Sequence, residues 1–191
     1  MTHHQNLKII TFVGLTGSGK STAVEHFTHN GFPRVYFGGI AYDIMKERGI
    51  AQGEQQEKDF RVNIRKTEGE DVYAKRIIDQ IHHLADAGQH RVIVDGLYSW
   101  AEYKALKHEF SGQMTTVALV APKHIRYHRL ETRIDRPQTP EISQLRDHNE
   151  IEDIQKGGPI AMADFFVSNN ENVEHFYQQL DDIAEQIKFN S

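Results

Sequence analysis

Gly14-Leu-Thr-Gly-Ser-Gly-Lys20-Ser21-Thr22 decides how this chain is read. Glycine, four residues, glycine, lysine and a hydroxyl residue match a phosphate-binding loop at every constrained position. The flanks match as well. Residues 7–13 form an apolar β-type run, and residues 23–27 open a helix that Gly31 can stop. Gly14, Gly17 and Gly19 admit backbone conformations that a Cβ would block, so successive N–H groups can turn inward around a phosphate. The helix start adds free N–H groups and a positive dipole end. Lys20 is suited to bridge the β- and γ-phosphates, and the Ser21 hydroxyl to ligate Mg²⁺. Gly14, Thr16, Gly17, Ser18, Gly19, Lys20, Ser21 and Thr22 are therefore the candidate nucleotide-binding set.

Outward from this loop the elements alternate. Residues 34–37, 91–95, 115–120 and 165–168 read as further strands. Helices are expected over 40–48, 52–67, 71–87, 100–110, 124–134 and 141–155, and a clean apolar stripe runs from Val173 to Ile187. Strands alternating with helices predict an α/β fold: a parallel five-stranded sheet between two helical layers, with a small helical lid at about 124–156. Ligands then bind at the carboxyl ends of the strands, where Gly14, Gly38, Asp95, Ala121 and Asn169 should gather.

The 191 residues suit one domain, and a net charge of −5 argues against a general nucleic-acid binder. There is no cysteine, which excludes disulfides and thiolate metal sites and agrees with a reducing cytoplasm. The first residues lack the apolar core of a signal peptide, and no run approaches the length of a membrane span, so a cytoplasmic protein is expected.

Three further constellations carry chemistry. Val92-Ile-Val-Asp95-Gly96 is an apolar strand ending in an acid, which can hold the Mg²⁺ shell or orient an acceptor hydroxyl; the plainer reading is an Asp-Gly turn. Arg126, Arg129, Arg133 and Arg136 fall on one helical face beside a Pro-bounded segment. Such a face can be solvated, or it can be a lid that closes over a transferring phosphoryl group, with Arg129 and Arg133 as its catalytic cations. Asn169 ends the last strand, where the loop can present groups to a nucleobase or simply turn into a helix capped by Asn170 or Asn172. His124 and His128 have a chelating spacing but lack the companion ligands of a zinc site.

Together, the phosphate loop, the Val-Ile-Val-Asp95-Gly96 strand, the Arg-rich helix and Ala163-Asp-Phe-Phe-Val-Ser-Asn169 resemble the nucleotide-kinase type of P-loop protein. The order of elements is similar to dephospho-CoA kinase and to adenylate-kinase-related proteins. Val94-Asp-Gly-Leu-Tyr-Ser-Trp-Ala-Glu102 and Ala161-Met-Ala-Asp164 point to the latter. The resemblance implies an ATP- and Mg²⁺-dependent phosphotransferase with a small-molecule, nucleotide or CoA-precursor-like acceptor. Dephospho-CoA kinases carry an acid directly after the second strand, where this chain has Phe37-Gly38-Gly39. Asp43, about one helical turn on, is the expected substitute, and Asp95 the other. The competing readings are a nucleotide-dependent switch or assembly ATPase, and a nucleic-acid-directed P-loop enzyme.

Overall fold

A computed structural model of the chain describes residues 6–51 and 54–190. Five strands form one parallel sheet: β1 (Lys8–Val13), β2 (Arg34–Tyr36), β3 (Arg91–Asp95), β4 (Met114–Val120) and β5 (Phe165–Ser168), in the order β2-β3-β1-β4-β5. The strands alternate between two cores because successive side chains point to opposite faces. Ile9, Val13, Val92, Val94 and Ala118 join one apolar cluster, and Ile10, Phe12, Ile93, Val117 and Leu119 join the other. Burial on both faces is what makes these strands continuously apolar.

The first core is covered by α2 (Phe37–Glu47), α4 (Val72–Asp86) and α5 (Trp100–Glu109), and the second by α1 (Lys20–His29) and α9 (Val173–Gln186). The remaining helices are α3 (Glu54–Glu68), α6 (Lys123–Thr132), α7 (Pro140–Glu152) and α8 (Gly157–Ala161). Among the described residues, no helix is long and apolar enough to cross a membrane.

The architecture expected from the sequence is the one observed, with four local corrections. The helix after the phosphate loop starts at Lys20 rather than Ala23, directly on the loop. α2 starts at Phe37 rather than Ile40, so Gly38 and Gly39 are its first turn. α6 ends at Thr132, which leaves Arg133 as its C-cap in extended conformation and takes it off the helical face of Arg126 and Arg129. Gly157-Gly158, expected to end a helix, opens α8. A Cβ on Gly158 would lie 2.8 Å from the Trp100 ring, so the glycine lets this turn lie flat on α5. Gln52, where a helix was expected to begin, lies outside the described residues.

Two devices set the edge where the strands end. Ser99 and Glu102 form a reciprocal capping box at the start of α5, and the fully buried Glu102 also accepts from Tyr98 N–H and from Arg65 of α3. Arg126 of α6 makes a bidentate pair with Asp147 of α7, at 2.9 and 2.6 Å, with both side chains nearly withdrawn from solvent. Removing one partner of such a pair strands a buried charge. Asp147→Ala should therefore destabilise the chain by about 3–5 kcal/mol in urea denaturation. A loss below about 1 kcal/mol would mean that the pair is not what holds α7 down.

Candidate active site

β1 is the central strand, and Phe12 lies in register with Asp95 of β3 while Val13 lies in register with Ala118 of β4. The chain thus leaves β1 at the point where its two neighbours run in from opposite sides, and the crevice at such a point is where open α/β sheets take ligands. Here it is a cleft of about 1230 Å³. That exceeds the ~300–1000 Å³ that usually holds one drug-sized ligand.

The loop from Gly14 to Thr22 forms the cleft floor. Gly19 N-caps α1 with φ 103°, a left-handed conformation that a side chain rarely adopts, and a Cβ there would lie 2.1 Å from Asn169 Nδ2. Gly17 faces α6, where a Cβ would meet the Arg126 carbonyl at 2.8 Å. The loop is thus packed too closely for side chains at both positions. Its ten-residue helix α1 directs free N–H groups at the floor. Lys20 Nζ donates to the Gly14 and Leu15 carbonyls at 2.7 and 3.1 Å, which curls the ammonium over the loop.

Thr16, Gly17, Gly19, Lys20, Ser21 and Thr22 line this cleft. Asp95, Arg129 and Arg133 do too. Asn169, at the end of β5, donates to the Ser18 carbonyl at 2.9 Å and accepts from Arg129 at 3.2 Å. Loop, last strand and Arg-rich helix therefore meet through one amide. Asp95 lies 3.5 Å from Arg34, whose guanidinium stacks 4.9 Å above the Tyr36 ring. Burial pushes the Asp95 carboxyl above its ordinary range, with Arg34 and Lys20 acting against that shift.

Asp43 is not in the cleft. It is exposed on α2 and lines a separate groove with Lys46, Glu47 and Arg76. The expected reach toward the phosphate loop assumed a helix beginning near Gly39. With the start at Phe37, the cleft-facing residue of this helix is Tyr42. Tyr36 folds across the start of α2, and a Cβ on Gly38 would lie 2.2 Å from its ring and hydroxyl. Arg126, expected on the basic face, is buried instead and donates to the Thr16 carbonyl at 2.9 Å. His124 and His128 are exposed, and among the described residues no group of three or more His, Cys, Asp or Glu could hold a metal ion.

Sequence reasoning missed the densest charge cluster in the cleft. Glu150 of α7 accepts from Thr16 Oγ1 at 2.9 Å and from Arg146 Nε at 3.3 Å, and it lies 2.8 Å from Lys156 Nζ. Burial alone would raise the Glu150 carboxyl, but Lys156, Lys20 and Arg146 outweigh it and hold the group below the ordinary range. In the sequence, α7 reads as a charged helix of the lid segment in which Glu150 is one acid among several. The one local signal is Gly157-Gly158-Pro159, a turn cluster beside Lys156.

The comparisons with known proteins agree with this geometry. The chain is 30% identical over 182 residues to the UPF0200 protein of Thermococcus kodakarensis, which covers 94% of this chain and 97% of that one. The chain belongs to the UPF0200 family. The UPF0200 protein of Methanosarcina barkeri is also 30% identical, over 89% of this chain and 90% of its own. Residues 10–155 match the family described as AAA domain. Among solved structures, dephospho-CoA kinase from Campylobacter jejuni superposes with TM-score 0.61 at 18% identity, covering 96% of this chain and 98% of its own. Shikimate kinase from Acinetobacter baumannii, in complex with shikimate, gives 0.60 at 21%, covering 97% and 95%. At these identities the likeness is one of fold, and the fold is that of P-loop kinases.

Lys20 generates a signed prediction. Burial, then the nearby Lys156 ammonium, pushes its value down from 10.5 to about 7. A lysine depressed in the folded state binds fewer protons there than when unfolded, so stability should rise with pH between about 7 and 10.5. A bound phosphate favours the ammonium and reverses the shift. At pH 8, ATP binding should take up about one proton, read by calorimetry in buffers of different ionisation enthalpy. Lys20→Arg, which keeps a cation that does not deprotonate, should bind ATP without the uptake, and an uptake that persists in this variant assigns the proton elsewhere.

Proposed function

We propose that this chain is an ATP- and Mg²⁺-dependent phosphotransferase acting on a small-molecule or nucleotide acceptor. The observation that carries the reading is a complete phosphate loop on the floor of a cleft roomy enough for two substrates and walled by cations. The residues present suit both partners of the reaction. Gly17 and Gly19 leave backbone N–H groups uncovered for phosphate oxygens, and Lys20 supplies the charge. Ser21 and Asp95 offer a hydroxyl and a carboxylate, hard oxygen donors of the kind Mg²⁺ takes together with water and substrate phosphates. When bound, Mg²⁺ would neutralise charge on the phosphates.

The chain's own side chains divide the remaining work. Arg129 and Arg133 reach the cleft from α6 and its C-cap, and they would steady charge that develops on the transferring phosphoryl group. Asn169 would brace the nucleotide-binding loop and the Arg129 guanidinium through its bonds to Ser18 and Arg129, while the loop it opens presents backbone groups toward the base. ATP is favoured over GTP because the chain has no Asn-Lys-x-Asp guanine motif. Asp95, with its raised carboxyl, is the acid left to orient an acceptor or join the Mg²⁺ shell. In this reading the chain is one domain, and the closing lid is narrower than residues 124–156. Asp147 and Glu150 pin the second half of α7, which leaves the exposed segment 133–142 to move.

The reading is tested by ADP release from Mg·ATP in the presence of a panel of anionic and hydroxylated metabolites. A kinase shows turnover stimulated by one acceptor class, whereas slow release that no acceptor stimulates favours the switch or assembly ATPase. Lys20→Ala should fold normally and lose productive Mg·ATP binding. Arg129→Ala and Arg133→Ala should each lower kcat more than they raise KM for ATP, by about 3 kcal/mol of transition-state stabilisation. Asp95→Asn should lose transfer while keeping ATP affinity in calorimetry. Parent-like turnover in all of these variants would leave the cleft without a catalytic role.

A further inference from the structure

We propose that Lys156 is a second phosphate-binding lysine of the cleft, and that the Glu150 carboxylate stands where a phosphoryl group of a polyphosphate ligand docks. The inference rests on the reading of the cleft as a phosphate site and adds a residue that the phosphate-loop motif does not contain.

Lys156 lines the cleft, yet its side chain is only 1% exposed. A buried ammonium needs an anion, and Glu150 supplies it at 2.8 Å, with the Tyr98 ring 4.8 Å from Nζ on another side. The backbone is held in place around it. Gln155 adopts φ 55°, a left-handed conformation uncommon for a side-chain-bearing residue, and Lys156 N–H donates to the Glu150 carbonyl at 2.9 Å. That turn aims Lys156 back at α7, and Gly158 seats it against Trp100. Strained backbone of this kind persists where the surroundings over-determine it, often at ligand clamps.

The partners of Glu150 are those of a phosphoryl oxygen. A hydroxyl from the tip of the phosphate loop, a guanidinium N–H and an ammonium converge on one carboxylate. Each would donate equally to phosphate, and all three come from the cleft wall or floor. A pair serving only to brace residues 150–156 would need no bond to Thr16, which lies 134 positions away in the chain. Of the charges around Lys20, Lys156 weighs most, so the two ammonium groups serve one neighbourhood. Lys20, Lys156 and Arg146 around a single carboxylate leave an excess of positive charge that a polyphosphate neutralises. The ligand would displace the Glu150 side chain and accept from Thr16 and Lys156 in its place.

The test is calorimetry and thermal melting of the full chain with inorganic tripolyphosphate and, separately, with ATP. Lys156→Met should weaken tripolyphosphate about tenfold, the usual effect of losing one charge-assisted hydrogen bond. Glu150→Gln should act in the opposite direction, with binding about threefold tighter and a larger ligand-induced rise in Tm, because a competing charge is gone. The double variant Glu150→Gln with Lys156→Met removes the buried pair without stranding an ion, which keeps the test valid if a single variant fails to fold. It should bind about threefold more weakly than the parent, the tenfold loss being partly offset by removal of the competing carboxylate. Parent-like affinity in the double variant, or both single substitutions shifting affinity the same way, overturns the proposal and makes the pair a brace. Tripolyphosphate binding with this ordering but no ATP binding sinks the nucleotide reading and leaves Lys156 assigned. Failure of the parent chain to bind either ligand sinks both.

Discussion

Arg126 ties three parts of the molecule together. Its guanidinium holds Asp147 of α7 through two bonds and the Thr16 carbonyl through a third, and its backbone sits where a side chain on Gly17 would be. A guanidinium this buried is tolerable only with its carboxylate in place, so the pair sets the position of α7 relative to the phosphate loop. Glu150, three residues beyond Asp147 and on the same side of α7, is carried by that placement to the Thr16 hydroxyl. The fastening of the loop, the height of the cleft wall and the position of the Glu150–Lys156 pair all follow from one buried ion pair.

The electrostatics of the cleft follow from the same arrangement. Cations arrive from α1, α6, α7 and the turn before α8, while two of the three acids that line the cleft are already engaged: Glu150 by Thr16, Arg146 and Lys156, and Asp95 by Arg34. The low local dielectric strengthens these pairs and makes like charges such as Lys20 and Lys156 disfavour one another. A floor of backbone N–H groups beneath crowded ammonium and guanidinium groups is the electrostatic basis for proposing a multiply charged anion as the ligand.

The rim on the β2 side is built by packing rather than by charge. Tyr36 lies across the first turn of α2, close against Gly38, and Arg34 stacks on the same ring while facing Asp95. On this side the cleft is thus edged by an aromatic surface. Tyr42 and Tyr98 line the cleft beside it. The Ser99–Glu102 capping box and Arg65 hold the Tyr98 segment, which links α3 to this rim through a fully buried carboxylate.

The strands, the phosphate loop and Asp95 were legible in the chain itself because they depend on local chemistry. Alternating apolar runs, glycine spacing and a Lys-Ser pair have one cheap arrangement, and parallel pairing then brings strand ends to one edge. Asn169 could be named because it follows a strand end on that edge, and Arg129 because its spacing from Arg126 and Arg133 puts it on one face of a helix. What the chain alone did not reveal depends on rotation and distance between elements. With α2 starting at Phe37 rather than near Gly39, Tyr42 and not Asp43 faces the cleft, and the end of α6 at Thr132 separated Arg133 from the face it shares in a helical projection. Glu150 and Lys156 belong to a segment whose charge pattern is that of any solvated helix, and Arg126 looks no different from Arg129. Only the tertiary structure withdraws them from water, and an ion withdrawn from water must find its opposite charge, which here is 21 residues away for Arg126 and six for Lys156.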